Sequence, residues 1–347
     1  MKEVGHIIQT QDFRRAWLET QFFEEVKDMV VIAEKKPASL FSVLKGKKIL
    51  LLFWKKSVRT SNMFEVASDM LGANTKLIEG EKNGGKWQIP YSSEIEGGYF
   101  EDLVRTFATK YDCIVIRHPE EGLATRAVAI IDKFRYKTKI INAGDGPGQH
   151  PIQAFIDLFS IKKDFGKIDG LTGVIMGDLL CSRAVHSLVY LLGKFNVKMF
   201  FVSLSKLKMP DGITRYLTRH GVEYKEICPQ EISGIKKDFD FLYVVGVPRE
   251  RCADNEMPII NKAFANEFLK TGSKVYHPFP RGKEITPWRY DDEKSQKETI
   301  DETEHAGYFD QMENGEAVLL AILKMALNPA IDLKELDDNL LLFTKQK

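Results

Sequence analysis

A short polar segment directly after an apolar run has the residue types that could hold a phosphate. The run Ile49 to Phe53 is typical of a buried strand, and the apolar spacing from Thr60 onward predicts a helix. Ser57, Arg59 and Thr60 therefore lie where that helix begins. Free N–H groups at a helix start carry partial positive charge, so hydroxyl groups and a guanidinium beside them favour a dianionic ligand. The alternative is an ordinary hydroxyl cap with a solvated arginine.

Two further polar clusters follow later strand-like runs. Arg117 closes the run that starts at Cys113, and the segment 142–153 follows the next run. Pro151 is typical of a first helical turn, so His150 is expected at the N-cap, where the positive helix end favours a neutral imidazole. A neutral imidazole there can donate one hydrogen bond to a carbonyl oxygen. Simple capping of the helix is the alternative.

The glycines of segment 142–153 do not form a dinucleotide-binding fingerprint. After Gly144 and Gly146, the G-x-G-x-x-G spacing requires a glycine at position 149, which is Gln149. A nicotinamide cofactor is therefore disfavoured. A plain nucleotide-binding protein is the weakest interpretation for the same reason.

The composition excludes several broad classes. Fifty Lys and Arg against 49 Asp and Glu leave a net charge of +1, so no global field attracts nucleic acid or an anionic membrane. No apolar stretch approaches the roughly 20 residues of a membrane helix, and the charged start lacks a secretory apolar region, so we expect a cytoplasmic protein. The cysteines show no C-x-x-C pair and no zinc-ligand spacing, so we expect buried, reduced thiols and no metal site. These cysteines are Cys113, Cys181, Cys228 and Cys252.

Strand-like and helix-like patterns alternate through most of the chain, which predicts the α/β class. The strand-like runs lie near 49–53, 75–78, 113–117 and 139–142, and then near 173–176, 198–202, 223–227, 241–245 and 274–277. We therefore expect two doubly wound parallel-sheet domains, the first of residues 1–149 plus 308–347 and the second of residues 150–307. The C-terminal helix, near 308–326, should pack back on the first domain. The polar clusters fall at strand ends, where such folds place their active sites.

Taken together, these segments resemble the aspartate/ornithine carbamoyltransferase family. Residues 53–60 match its carbamoyl-phosphate signature, except that Val58 stands where Thr or Gly is usual. Segment 142–153 is similar to the family's N-A-G-D-G-x-x-Q-H-P-T-Q, with Ile152 in place of Thr. Further similar segments follow in family order at 117–119, 177–183, 277–281 and 306–311.

The resemblance implies a carbamoyltransferase that moves the carbamoyl group of carbamoyl phosphate to the amine of an amino-acid-like acceptor. The first domain would bind carbamoyl phosphate and the second would bind the acceptor. The implied carbamoyl-phosphate-binding residues are Ser57, Val58, Arg59, Thr60, Arg117, His150, Gln153, Pro278 and Phe279. Arg59, Thr60 and His150 would be catalytic, because their donors meet the oxygen on which negative charge grows. The resemblance also implies no metal or other cofactor, and a homotrimer with shared active sites.

The acceptor segments depart from both named branches of the family. Pro278 stands where the ornithine branch has Cys, so ornithine is disfavoured. Arg183 matches the arginine that the aspartate branch uses for the α-carboxylate. However, Gly246 and Pro248 stand where that branch has the Arg and Gln that grip the aspartate side chain. Because another cation does not reproduce a bidentate guanidinium, ordinary aspartate turnover is disfavoured unless a displaced arginine or lysine reaches the site.

The loop near Trp87 points to a different acceptor. Lys86-Trp87-Gln88 is similar to the branch that accepts acetylornithine and succinylornithine, although a packing role for Trp87 is the alternative. The acceptor-binding residues implied by the resemblance are Arg183, Lys86, Trp87, Gly246, Pro248 and Arg281.

Three alternative functions stay open at this point. They are true aspartate carbamoylation in pyrimidine biosynthesis with a rearranged clamp, an N-acyl-ornithine-type acceptor, and a non-catalytic subunit that binds carbamoyl phosphate. The presence of His150 with Gln153 argues against the last, because pure binding has less use for a group that polarises a carbonyl.

Overall fold

The computed structural model describes residues 4–83, 86–89, 98–251 and 256–331, which divide into two compact units. The first unit takes its described residues from 1–152 and 315–347, and the second comprises 153–314. Each unit is built around one parallel sheet with helices. The predicted α/β class is therefore confirmed.

The sheet of the first unit has the strand order β2-β1-β5-β6, with all neighbours parallel. Its strands are β1 (Lys48–Phe53), β2 (Asn74–Glu79), β5 (Cys113–His118) and β6 (Lys139–Asp145), and β3 (Glu81–Asn83) with β4 (Lys86–Gln88) forms a separate antiparallel hairpin. Residues 49–53 of β1 are all buried, as expected for a central strand covered on both faces.

The sheet of the second unit has the order β11-β10-β7-β8-β9, again with all neighbours parallel. Its strands are β7 (Thr172–Met176), β8 (Lys198–Val202), β9 (Tyr224–Ile227), β10 (Phe241–Val244) and β11 (Lys274–Tyr276). Gly177 directly follows β7 with φ +128, and a Cβ atom there would lie 2.0 Å from the carbonyl oxygen of Val245. Only glycine fits this close approach between the ends of β7 and β10.

The main helices lie before, between and after the strands along the chain. They are α1 (Phe23–Lys35), α2 (Val58–Met70), α3 (Phe100–Ala108), α4 (Leu123–Lys133), α5 (Pro151–Phe165), α6 (Arg183–Leu192), α7 (Asp211–Arg219), α8 (Lys262–Phe268), α9 (Glu293–Glu298) and α10 (Gly307–Leu327). Short helical segments lie at Thr10–Asp12, Arg15–Trp17, Leu18–Phe22, Pro37–Leu40, Ser205–Leu207, Pro229–Ile235 and Arg249–Arg251.

The C-terminal part of α10 packs on the first unit, as expected from the sequence. Lys324 of α10 forms an ion pair with Glu25 of α1 at 2.9 Å, and their side chains are only 1% and 5% exposed. This buried ion pair therefore joins the C-terminal part of α10 to α1.

None of the described helices combines the length and the apolar character that a membrane span requires.

Candidate active site

The polar segment after β1 forms the start of helix α2. The helix begins at Val58, so Ser57 is its N-cap residue and the polar residues lie at its first turn, as predicted. The Ser57 hydroxyl donates to the hydroxyl oxygen of Thr60 at 3.1 Å. Val58, which stands where Thr or Gly is usual in the family signature, is 81% exposed. The two hydroxyl groups are thus held together at a helix start, the end of a helix that attracts anions.

Arg59 adds a permanent positive charge to this helix start. The residue is exposed, yet partial desolvation lowers the pKa of its guanidinium from its ordinary value. The ordinary value is so high that the side chain stays cationic at neutral pH. Partial desolvation also strengthens the attraction between this charge and an anion.

The strand register brings three predicted clusters to one edge of the first sheet. Phe53 at the end of β1 lies beside Arg117 on β5, and His118 lies beside Asp145 on β6. The Arg117 guanidinium donates to the carbonyl oxygen of Ala143 on β6 at 3.0 Å. This contact orients Arg117 along the strand ends that also carry α2 and the loop leading to His150.

Asp145 organises the glycine-containing loop, a role that the sequence reasoning missed. Its carboxylate accepts hydrogen bonds from the N–H groups of Gln149 and Gly122 at 2.8 and 2.9 Å. Gly146 adopts φ +45, and a Cβ atom there would lie 2.7 Å from the carbonyl oxygen of Pro119. The loop therefore reaches α5 in one defined path, and α5 begins at Pro151, directly after His150.

Gln153, in the first turn of α5, is oriented by a buried carboxylate. Its side-chain N–H group donates to Asp157 at 2.7 Å, which turns the amide oxygen the other way. Asp157 also accepts from the hydroxyl of Tyr243 and the amide of Gln311. Burial raises the pKa of Asp157 to about 7, against the opposing effect of these hydrogen bonds. Asp157 was not predicted, although its spacing of four residues from Gln153 was a readable signal.

The second unit contains a cleft of about 330 Å³ beyond the carboxyl ends of its central strands. It is lined by Asp178, Cys181 and Ser182 after β7, by Val245, Gly246, Pro248 and Arg251 after β10, and by His277, Pro278, Phe279 and Pro280 after β11. Four residues predicted from the sequence, Gly246, Pro248, Pro278 and Phe279, therefore lie together. Arg183 begins α6 next to Ser182.

Arg251 brings a guanidinium into this cleft, but its charge is matched within the protein. It donates to the Asp178 carboxylate at 3.0 Å and to the sulfur of Cys181 at 2.7 Å.

The expectation of buried thiols is correct for Cys113 and wrong for Cys181 and Cys228, which are only half-buried because they lie in loops beyond strand ends. Cys252 lies outside the described residues.

Glu284 lies directly behind Gly246, and sequence reasoning missed it. His277 accepts the N–H of Phe279 at Nδ1, so Nε2 carries the hydrogen that is donated to Glu284 Oε1 at 2.9 Å. The N–H of Gly282 donates to the same oxygen at 2.6 Å. Burial raises the pKa of Glu284, but these hydrogen bonds outweigh it and the pKa is lowered overall. Glu284 is therefore a carboxylate at neutral pH.

Two of the remaining predicted acceptor residues, Trp87 and Arg281, have contacts within the protein. Trp87 is half-buried and packs against the hydrophobic core of the first unit. Arg281 forms an ion pair with Asp301 and lies over the ring of Tyr308 at 4.7 Å. Lys86 lies on β4. Acceptor roles for these residues stay predictions, and segment 90–97 lies outside the described residues.

Among the described residues, no group of three or more His, Cys, Asp or Glu side chains could hold a metal ion.

Comparison with known proteins gives consistent matches. Residues 5–163 match the family model described as the carbamoyl-P binding domain of aspartate/ornithine carbamoyltransferase. The chain is 34% identical over 336 residues to the chloroplastic aspartate carbamoyltransferase of Oryza sativa subsp. japonica, covering 93% of this chain and 85% of that protein. It is 34% identical over 328 residues to the aspartate carbamoyltransferase catalytic subunit of Methanopyrus kandleri, covering 92% and 96%.

Solved structures agree with these sequence matches. The aspartate transcarbamoylase of Trypanosoma cruzi in complex with carbamoyl aspartate and phosphate is similar with a TM-score of 0.78 and 27% identity, covering 94% of this chain and 96% of that one. The catalytic subunit of the M. jannaschii enzyme is similar with a TM-score of 0.76 and 31% identity, covering 94% and 99%.

Proposed function

Because the chain belongs to the aspartate/ornithine carbamoyltransferase family, we propose that it transfers the carbamoyl group of carbamoyl phosphate to the amine of an amino-acid-like acceptor. The observation that carries this proposal is the strand register of the first unit. It brings the start of α2, Arg117 and the loop before His150 to one edge of the sheet. That edge offers hydroxyl groups, two guanidinium groups and a helix start, a combination suited to a phosphate ester.

In this proposal the phosphate group of the donor is held at the start of α2. Ser57 and Thr60 supply hydroxyl groups that already contact each other, and Arg59 and Arg117 supply charge. Val58 keeps its backbone N–H group in the first turn of α2, so the missing hydroxyl costs at most one contact. The predicted contacts of Pro278 and Phe279 with the carbamoyl group stay proposals.

The reaction needs a neutral acceptor amine and a polarised carbonyl. The nitrogen lone pair attacks the carbonyl carbon, a C–N bond forms, and negative charge grows on the carbonyl oxygen. Arg59, Thr60 and His150 would donate to that oxygen, and each such donor contributes about 2.7 to 4 kcal/mol in comparable sites. The bond from carbon to the phosphate oxygen then breaks, and phosphate departs with the proton that the amine loses.

Gln153 would orient the carbamoyl NH2 group. Its hydrogen bond to Asp157 turns the amide oxygen away from that carboxylate, so the oxygen can accept from an N–H group of the donor substrate. Asp157 then acts as a positioning residue, because it holds Gln153 and would not touch the substrate itself.

Phosphate release from carbamoyl phosphate tests the function directly. The purified protein should release phosphate with at least one member of a broad amine panel, and Arg59→Ala should abolish both donor binding and turnover. Arg15→Ala is the matched control, because Arg15 lies outside the proposed site and forms an exposed ion pair with Glu19, a kind of pair that contributes little. Donor binding without turnover would indicate a non-catalytic subunit, and unchanged donor binding in Arg59→Ala would contradict the proposed site.

True aspartate carbamoylation is the second candidate, and the relatives named above favour it. Gly246 and Pro248 weigh against it, because neither supplies a side chain that could bind a carboxylate. Formation of carbamoylaspartate at millimolar aspartate decides between the two, and N-acetylornithine belongs in the same panel. We also propose that the protein is cytoplasmic and forms a homotrimer. Light scattering of the purified protein would test the trimeric assembly.

A further inference from the structure

A carboxylate, Glu284, lies behind Gly246, which lines the cleft of the second unit. Glu284 receives hydrogen bonds from His277 Nε2 and from the N–H of Gly282, which are both neutral donors. Within the part of the chain that the structure describes, no lysine or arginine forms an ion pair with Glu284. Asp178 differs in this respect, because Arg251 compensates its charge. Glu284 therefore carries a negative charge that is not compensated by an ion pair with a described lysine or arginine.

Because position 246 has no side chain, only the backbone of Gly246 separates this part of the cleft wall from the Glu284 carboxylate. A Cβ atom built on Gly246 would lie 3.2 Å from Oε2 of Glu284, and Gly246 is itself exposed and lines the cleft. The hydrogen bonds from His277 and Gly282 both end on Oε1, so Oε2, the carboxylate atom nearest to the Cβ position of Gly246, accepts neither of them. Neither Gly246 nor Pro248 supplies a side-chain donor. This wall of the cleft therefore offers a hydrogen-bond acceptor and negative charge.

We propose that the acceptor presents a nitrogen carrying N–H donors, as an ammonium or an amide, to Glu284. The inference rests on the proposed carbamoyl transfer and specifies its substrate class as diamino or amide-bearing amino acids rather than dicarboxylic ones. A side-chain carboxylate placed at Gly246 would face Glu284 and be repelled by it. An ammonium or amide nitrogen would instead donate to Oε2 and occupy the space that a residue larger than glycine would fill.

Matched acceptors test the proposal without any substitution in the protein. L-asparagine and L-aspartate have nearly the same shape and differ in whether the side-chain end donates or repels, and L-2,4-diaminobutyrate adds a full positive charge. We expect phosphate release from carbamoyl phosphate to show a kcat/KM at least about tenfold higher with asparagine or diaminobutyrate than with aspartate. A higher value with aspartate would overturn the inference and leave the proposed carbamoyl transfer intact. No phosphate release with any amine would overturn both.

Glu284→Gln tests whether this carboxylate is the group that selects between the acceptor substrates. The variant keeps the side-chain shape, so kcat/KM for diaminobutyrate should fall about 10- to 100-fold while the value for aspartate stays equal or rises. Glu298→Gln is the control, because Glu298 lies on α9, does not line the cleft and forms a long ion pair of 3.9 Å with Lys294. Equal losses for both acceptors would show a merely structural role and contradict the inference. If thermal unfolding shows that the variant is not folded, the wild-type comparison above decides.

Discussion

Gln153 donates its side-chain amide to Asp157, a carboxylate with no exposed surface, at 2.7 Å. The pair links a predicted substrate contact in the first turn of α5 to the buried hydroxyl of Tyr243 on β10. The position of the amide therefore depends on a network that lies entirely inside the second unit.

The stability of the protein should depend on pH through Asp157. Burial raises the pKa of this carboxyl from its ordinary value of 3.8 to about 7, so the folded state binds its proton more tightly than the unfolded chain does. The stabilisation is present below pH 4 and is lost as pH rises to about 7, which lowers the free energy of unfolding by up to about 4 kcal/mol. Urea unfolding between pH 4 and 8 should show this slope.

Asp157→Asn should remove that slope, because asparagine does not titrate. The same substitution at exposed Asp69 serves as the control and should leave the slope unchanged. A wild-type protein whose free energy of unfolding rises between pH 4 and 7 would contradict the assignment.

His150→Ala should impair chemistry more than donor binding. If the imidazole polarises the carbonyl oxygen in the transition state, kcat should fall about 10²- to 10³-fold while the Kd for carbamoyl phosphate changes little. Phosphate release gives kcat, and calorimetry gives the Kd. Parallel loss of both would instead indicate that His150 serves as an ordinary cap or binding group.

Lys324→Met should destabilise the first unit strongly. The substitution removes the Lys324 ammonium from the 5%-exposed Glu25 carboxylate, and breaking a buried ion pair in this way costs about 3 to 5 kcal/mol. Chemical denaturation measures the loss. The double variant Glu25→Met with Lys324→Met should recover much of it, because no unpaired charge remains buried.

Gly146→Ala should disturb the loop that leads to His150. Its positive φ costs an alanine about 1 to 2 kcal/mol, and the 2.7 Å approach of the Cβ atom to the carbonyl oxygen of Pro119 adds a clash. Gly122→Ala separates the two effects, because Gly122 also has positive φ (+89) but no atom lies within 4 Å of its Cβ position. We expect the larger loss of carbamoyl-phosphate affinity with Gly146→Ala, measured by calorimetry.

Several features could be predicted because they are encoded locally. Buried parallel strands are continuous apolar runs, so β1, β5 and β8 were predicted within a residue or two of their observed bounds. Pro151 marked the start of α5, and the hydroxyl and arginine residues marked the start of α2, two residues before the apolar periodicity began.

Other local features lacked such a signal. The short helices between residues 10 and 40 and the β3–β4 hairpin were not predicted. They are brief, and their apolar residues follow no extended period that would separate them from loops.

The sequence by itself determined the family, the α/β class and the residues at the strand ends, because each depends on neighbours along the chain. Only the tertiary structure decided what stands behind Gly246. Glu284 lies in the loop after β11, and it reaches Gly246 because β10 and β11 are adjacent in the sheet and His277 holds the carboxylate in place. A contact between two irregular loops has no period in the sequence. It arises only when the strands that carry the loops have packed side by side.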